Sequence, residues 1–186
     1  MRTNRGGIIL SACFVFATIG WSAVIANPFG IQRGLPVNSL KVVRQLNPTL
    51  FEVTAPNPNS SFTRYMVVAT PKHGVCQVVG ATENFKDYEA ATLPFLKLRR
   101  VLTQRYGRHD PIVNDMLHVR PAFIFEDADS EWRVMKNKTL PHNLRSIMLE
   151  RLAADKGTST RVRLTYTFNN LSDCLNWEPY QDRSGL

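Results

Sequence analysis

Catalytic signatures are missing from this chain of 186 residues. It has no Gly-x-Ser-x-Gly elbow, no His-Glu-x-x-His pair and no phosphate-binding glycine loop, which removes the usual grounds for a serine hydrolase, a zinc hydrolase or a nucleotide enzyme. No low-complexity tract occurs and the hydrophobic content of 44% is ordinary, which excludes a disordered chain. Acidic residues are scarce in one region. Residues 27–110 hold 11 Lys/Arg against 5 Asp/Glu, whereas residues 111–186 hold 10 of each. The net charge of +8 therefore resides in the first 110 residues.

The few metal-like groupings fail on spacing. Asp127, Asp129 and Glu131 alternate as oxygen ligands for Ca²⁺ could, but a helix-loop-helix calcium site needs Gly at its sixth position and an acid at its twelfth. Trp132 and Lys138 stand there. His109, Asp110, Asp115 and His118 bring two histidines and two acids together, the makings of a zinc or acid/base cluster. Pro111 and the loop-like context do not hold them on one face of a helix, so they read as surface polar residues. No metal and no cofactor is expected.

What is present begins with export. Arg2 and Arg5 precede an uncharged apolar run from Ile8 to Ala26, broken by Asn27-Pro28, and Val24 and Ala26 are small residues before a cut. This is the order of a secretory signal peptide covering residues 1–26. Two alternatives share the stretch: an uncleaved anchor over residues 8–26, and a lipidated Cys13 after Leu10-Ser11-Ala12, although only Ile8 to Leu10 form an apolar run before it. A chain starting at Asn27 carries a net charge of +6 and is long enough for one domain, residues 27–186. Its only cysteines are Cys76 and Cys174. In an oxidising compartment an even pair is expected to be bridged, which would staple the C-terminal tail to a strand of the first half. The other use of a cysteine, a thiol nucleophile beside His73, has only one neighbouring histidine to support it.

Periodicity supplies the architecture. Val162, Leu164, Tyr166 and Phe168 alternate with Arg161, Arg163, Thr165 and Thr167, which predicts a strand with one apolar and one wet face. It pairs as a hairpin with Leu144–Leu152 through a turn near Asp155-Lys156-Gly157. Tyr65–Thr70 and Val75–Val79 make a second hairpin around Pro71-Lys72-His73-Gly74, and Leu50–Thr54 and Ala122–Phe125 are further strands. Leu40, Val43 and Leu46 after Pro36 predict a first helix. Phe95, Leu98, Leu102 and Tyr106 predict a second, capped by Thr92, with Pro94 in its first turn and Gly107 as its stop. Helix, strand, strand, strand thus occurs twice, over residues 27–85 and 88–170, before a tail at 171–186. The fold class expected is α+β, a mainly antiparallel sheet with two helices packed on one face and a duplicated unit.

This order of elements is similar to the duplicated helix-plus-sheet layout of secreted β-lactamase-inhibitor-like proteins. Several short stretches also resemble uncharacterised small exported bacterial α+β proteins: Phe29-Gly30 with Gly34-Leu35, Gly74-Val75-Cys76, Tyr106-Gly107, Leu140 to Ile147, and Asp155-Lys156-Gly157 through Tyr166-Thr167-Phe168-Asn169 to Cys174. The resemblance implies an exported domain with a bridged cysteine pair and carries no activity. Asn59, Asn137 and Asn170 open glycosylation sequons, which matter only in a eukaryotic secretory pathway.

Two functions follow. The first is a non-enzymatic exported binding module, periplasmic or secreted, acting on another envelope or extracellular protein as an inhibitor, immunity or accessory factor does. The second is a binder or hydrolase of anionic envelope polymers, or of a membrane surface, using a basic helix that carries Lys97, Arg99, Arg100 and Arg105, with Arg108 just beyond. Nucleic acid is not an expected partner outside the cytoplasm.

Overall fold

The computed structural model describes residues 26–108, 110–111, 130–133, 140–154 and 157–177. Among these residues eight antiparallel strands form one sheet: β1 (Lys41–Gln45), β2 (Leu50–Thr54), β3 (Arg64–Thr70), β4 (Gly74–Ala81), β5 (Asp110–Pro111), β6 (Ser130–Arg133), β7 (Leu144–Ala154) and β8 (Ser159–Phe168). With helices α1 (Tyr88–Tyr106) and α2 (Leu171–Leu175), this is the expected α+β class, mainly sheet. The strand order is β1-β2-β3-β4-β8-β7-β6-β5. Each half is a four-stranded meander in chain order, and the two join where β4 pairs with β8, Val78 opposite Tyr166 and Gly80 opposite Leu164.

The alternation in β8 does what period two requires on its apolar side. Val162, Leu164, Tyr166 and Phe168 are buried. Register places Ile147 and Leu149 of β7, Val78 of β4, and Tyr65 and Val67 of β3 on that same face. The other face is less wet than the sequence suggests, since Thr165, Thr167 and Glu150 are buried there. Glu150 answers its burial with Arg163, whose guanidinium approaches its carboxylate at 2.6 Å.

Helix α1 covers β7 and β8 through Ala91, Phe95, Leu102 and Tyr106. It starts earlier than expected: Asp87, not Thr92, is the cap, its carboxylate accepting from the Ala90 N–H at 2.7 Å. Pro94 accordingly lies inside the helix, where its missing N–H leaves the carbonyl of Ala90 without a helical donor. Thr92 instead accepts a hydrogen bond from Arg151 of β7 at 2.9 Å. The Arg151 guanidinium lies 3.8 Å from the Tyr88 ring centroid and 4.7 Å from that of Phe95, a cationic tie between helix and sheet.

The helix expected over Leu40–Leu46 does not form. A 3₁₀ turn at Val37–Ser39 leads instead into β1, whose five residues are all exposed. Adjacent β-branched Val42 and Val43 favour extended backbone, and Asn47 builds the turn into β2 by accepting from the Thr49 and Leu50 N–H groups at 2.9 and 2.7 Å. The two halves therefore share the meander but not the helix. The second helix is α2, one short turn placed against β3 and β4. The strand expected at 122–125, the apolar run through residue 25, and the groups at His109, Asp115, His118, Asp127 and Asp129 lie outside the described residues.

The segment before β1 seals the sheet's apolar face. Ala26 is buried; its N–H donates to Asn143 Oδ1 at 3.0 Å, and the Asn143 amide returns a bond to its carbonyl at 2.9 Å. Further on, Gly34 N–H donates to the Val75 carbonyl at 2.8 Å and Val75 N–H to the Leu35 carbonyl at 3.0 Å. Gly74 has φ +61, and a Cβ there would lie 2.2 Å from the Gly34 carbonyl oxygen. The Gly34-Leu35 and Gly74-Val75 pairs, far apart in sequence, are thus two sides of one backbone crossing.

Candidate functional site

Cys76 and Cys174 form a disulfide with their Cα atoms 6.4 Å apart, closing a loop that spans 98 positions. Both sulfurs are buried, Cys76 at 0% and Cys174 at 3% exposure. Bonded and enclosed, this pair holds the tail rather than offering a thiol beside His73.

The five expected basic residues do not share one patch. At about 100° per residue, Lys97 and Arg100 fall on the outer side of α1 while Arg99 and Arg105 fall on opposite flanks. Arg99 is half-buried with its guanidinium 5.8 Å from the Phe95 ring centroid, and Arg105 is exposed with its own 5.4 Å from the Tyr106 centroid. Arg108 follows the helix after Gly107 and is exposed. The outer side is not purely cationic either. Leu93 is 61% exposed, Leu96 38% and Val101 58%, interleaved with Lys97 and Arg100.

Beside that outer face runs a groove between α1 and the loop 57–61. Tyr65 positions the loop by donating its hydroxyl to the Asn59 carbonyl at 2.9 Å and accepting from the Asn59 N–H at 2.7 Å. One end of the groove is apolar, a cleft of about 360 Å³ between Ser61 and Thr82 on one side and Phe85, Pro94, Leu98 and Val101 on the other, with Lys97 at its margin. The second end, a cleft of about 270 Å³, adjoins the first at Asn59. It is lined by Arg105, Tyr106 and Tyr166, by Asn57, and by the backbone turn Pro28–Gly30.

That turn is strained and braced. Phe29 adopts φ +56, a left-handed conformation costly for a bulky residue, on the order of 1–3 kcal/mol. Its ring meets those of Phe62, Tyr65 and Tyr166 edge-on, centroids 5.3, 4.9 and 5.8 Å away. Gly80 makes room beneath: a Cβ there would lie 2.9 Å from the tip of the Phe29 ring. The Phe29 carbonyl accepts from the Asn57 N–H at 2.9 Å, which joins the turn to the loop and closes the polar cleft on that side.

Tyr106 and Tyr166 are hydrogen-bonded to each other through their hydroxyls. Burial raises the ionisation of both above the ordinary value of 10.0, and the positive charge of Arg105 only partly opposes it. Both stay neutral at physiological pH. The cleft therefore presents one guanidinium and neutral hydroxyl and amide groups. Among the described residues, the lining of the two clefts contains no carboxylate and Arg105 makes no salt bridge. No group of three or more metal-ligating side chains occurs among the described residues.

Lys97 and Arg105 were legible in the sequence as part of a basic helix. Tyr106 and Tyr166 were legible only as core positions, although a buried tyrosine hydroxyl requires a partner and two of them invite a search for each other. Phe29, Asn57 and Asn59 carry no local signal for a cleft, because the Pro28–Gly30 turn and the loop 57–61 meet only through tertiary contact. No protein-family model, no curated protein and no solved structure matches this chain.

Proposed function

We propose that this chain is an exported, non-enzymatic binding module that docks another envelope or extracellular protein on the outer face of α1 and the groove beside it. The observation that carries the reading is the exposure of Leu93, Leu96 and Val101 between Lys97 and Arg100. Aliphatic side chains placed outward on an amphipathic helix have no use in the chain's own core. Covering each would contribute ~1 kcal/mol to an interface, given that 1.5–3 kcal/mol attends full burial of such a side chain. The cations around them favour a partner with an acidic rim.

Export is supported by the charge-flanked apolar run at the N-terminus and by the buried disulfide, which suits an oxidising compartment. Among the described residues no helix is long and apolar enough to cross a membrane. The test is capture from envelope extract by the wild-type chain and by a Leu93→Ser/Val101→Ser variant. A saturable partner held by the first and lost by the second supports the reading; equal capture by both sinks it. The second reading, binding of an anionic polymer, draws on the basic excess of residues 27–110. It requires affinity that collapses with salt and ignores the aliphatic substitutions.

A further inference from the structure

The polar end of the groove lies one helical turn beyond its apolar end, because Val101 and Arg105 are four residues apart on α1, a rise of about 6 Å. A ligand spanning both ends must place an anionic or strongly accepting group at Arg105 and an apolar group near Phe85, Leu98 and Val101. The pairing is specific in charge. Lys97 and Arg105 border the groove, and no carboxylate among its described lining neutralises them. The tyrosine hydroxyls and the Asn57 amide add neutral polar groups around the guanidinium, which suits a planar anion with two oxygens.

We propose that this groove binds the free C-terminus of a partner polypeptide, its terminal carboxylate at Arg105 and the tyrosine pair and its last aliphatic side chain in the cleft of Phe85, Leu98 and Val101. The proposal rests on the reading of this chain as a protein-binding module and names the part of the partner that is held. A peptide end fits the observations because carboxylate and aliphatic side chain leave the same terminal Cα, and the two ends of the groove are one turn apart. Neutral tyrosines matter here. A phenolate would repel the carboxylate, and burial keeps both rings protonated.

The experiment uses the full chain and an acetylated pentapeptide ending in Ala-Leu, prepared as the free acid and as the C-terminal amide. Binding is followed by calorimetry and by chemical-shift changes of the Arg105 and Val101 amides. The free acid should bind at least ~10-fold more tightly than the amide, the effect expected from one charge-assisted contact. Arg105→Gln, an exposed substitution that leaves the fold intact by circular dichroism, should abolish that difference. Val101→Asp should weaken both peptides. Equal affinity for acid and amide, or a preference that survives Arg105→Gln, overturns the proposal. So does decanoate binding with Arg105 dependence while the peptide acid does not bind, since that would assign the groove to a fatty acid. Absence of any carboxylate preference in the wild-type chain, with partner capture from envelope extract intact, removes this inference and leaves the α1 docking surface standing. Loss of capture on Leu93→Ser alone, a position outside the lining of both clefts, tests that surface independently of the groove.

Discussion

The bond between Cys76 and Cys174 should carry a large share of the stability of this fold, and the expected size follows from the chain length it closes. The two residues are 98 positions apart. In the chain-entropy treatment a loop of about 100 residues restricts the unfolded ensemble by ~4.7 kcal/mol at 25 °C. For a domain of this size each kilocalorie moves the melting temperature by about 2–4 °C, so losing the bond should lower it by roughly 9–19 °C. Replacing both cysteines by alanine adds a modest packing loss, because both side chains are buried. Serine is a poor choice, since it would bury two hydroxyls. The assay is thermal unfolding by far-ultraviolet circular dichroism of the oxidised wild type, the reduced wild type and the Cys76→Ala/Cys174→Ala variant. Reduced wild type and double variant should melt close together and well below the oxidised protein. If the double variant melts within ~2 °C of the oxidised protein, α2 and its tail are held by packing alone, and the staple contributes nothing to the scaffold beneath the groove.

Three other outcomes are expected. Gly74→Ala should destabilise by about 3 kcal/mol in urea unfolding, combining a left-handed backbone with a Cβ driven into the Gly34 carbonyl, whereas Gly157→Ala, at φ +93 with open space around it, should cost only about 1 kcal/mol. Equal effects would show that backbone conformation alone matters and that the crossing of residues 34 and 74 is loose. A chain starting at Asn27 should be ~2 kcal/mol less stable than one starting at Ala26, because the buried Asn143 amide loses both of its bonds to Ala26, and Asn143→Ala should shrink that difference in a double-mutant comparison. Glu52 accepts from Arg64 at 2.9 and 3.1 Å and from Arg44 at 2.6 Å; the Arg64 contact chiefly holds its carboxyl below the ordinary value of 4.5, against an opposing effect of burial. A depressed folded value stabilises above pH 4.5 and is lost as pH falls through the folded value. The urea midpoint should therefore drop below pH 4.5 in the wild type and drop less in Glu52→Gln.

How far the sequence carries depends on how local each cause is. The hairpins β3–β4 and β7–β8 were legible because period two and turn residues act over a few neighbours, and the strand ends fall within a few residues of expectation. The apolar stripe of α1 was legible for the same reason, but its start was not: Thr92 and Asp87 are both acceptable caps, and the choice went to Asp87 while the Thr92 hydroxyl serves Arg151 across the helix–sheet boundary. The stripe of Leu40, Val43 and Leu46 misled because the three do not share an element: Leu40 is buried just before the edge strand β1, Val43 is exposed within it, and Leu46 follows it in the turn toward β2. There the β-branched pair and the Asn47 turn outweigh periodicity.

By itself the sequence determined the α+β class, the long helix, the central hairpins and the pair of cysteines able to meet, all from spacing and composition read within short windows. Tertiary structure alone decided that two meanders join through β4 and β8, that Gly34 crosses Gly74, and that Phe29 is held in a left-handed turn against Tyr166. It alone also set a groove beside Lys97 and Arg105, whereas the separation of Arg99 onto the opposite flank of α1 already follows from helical periodicity. The reason is physical: periodicity fixes which side of an element a residue occupies, whereas a groove exists only where two elements distant in the chain face each other, and that depends on packing no local window contains.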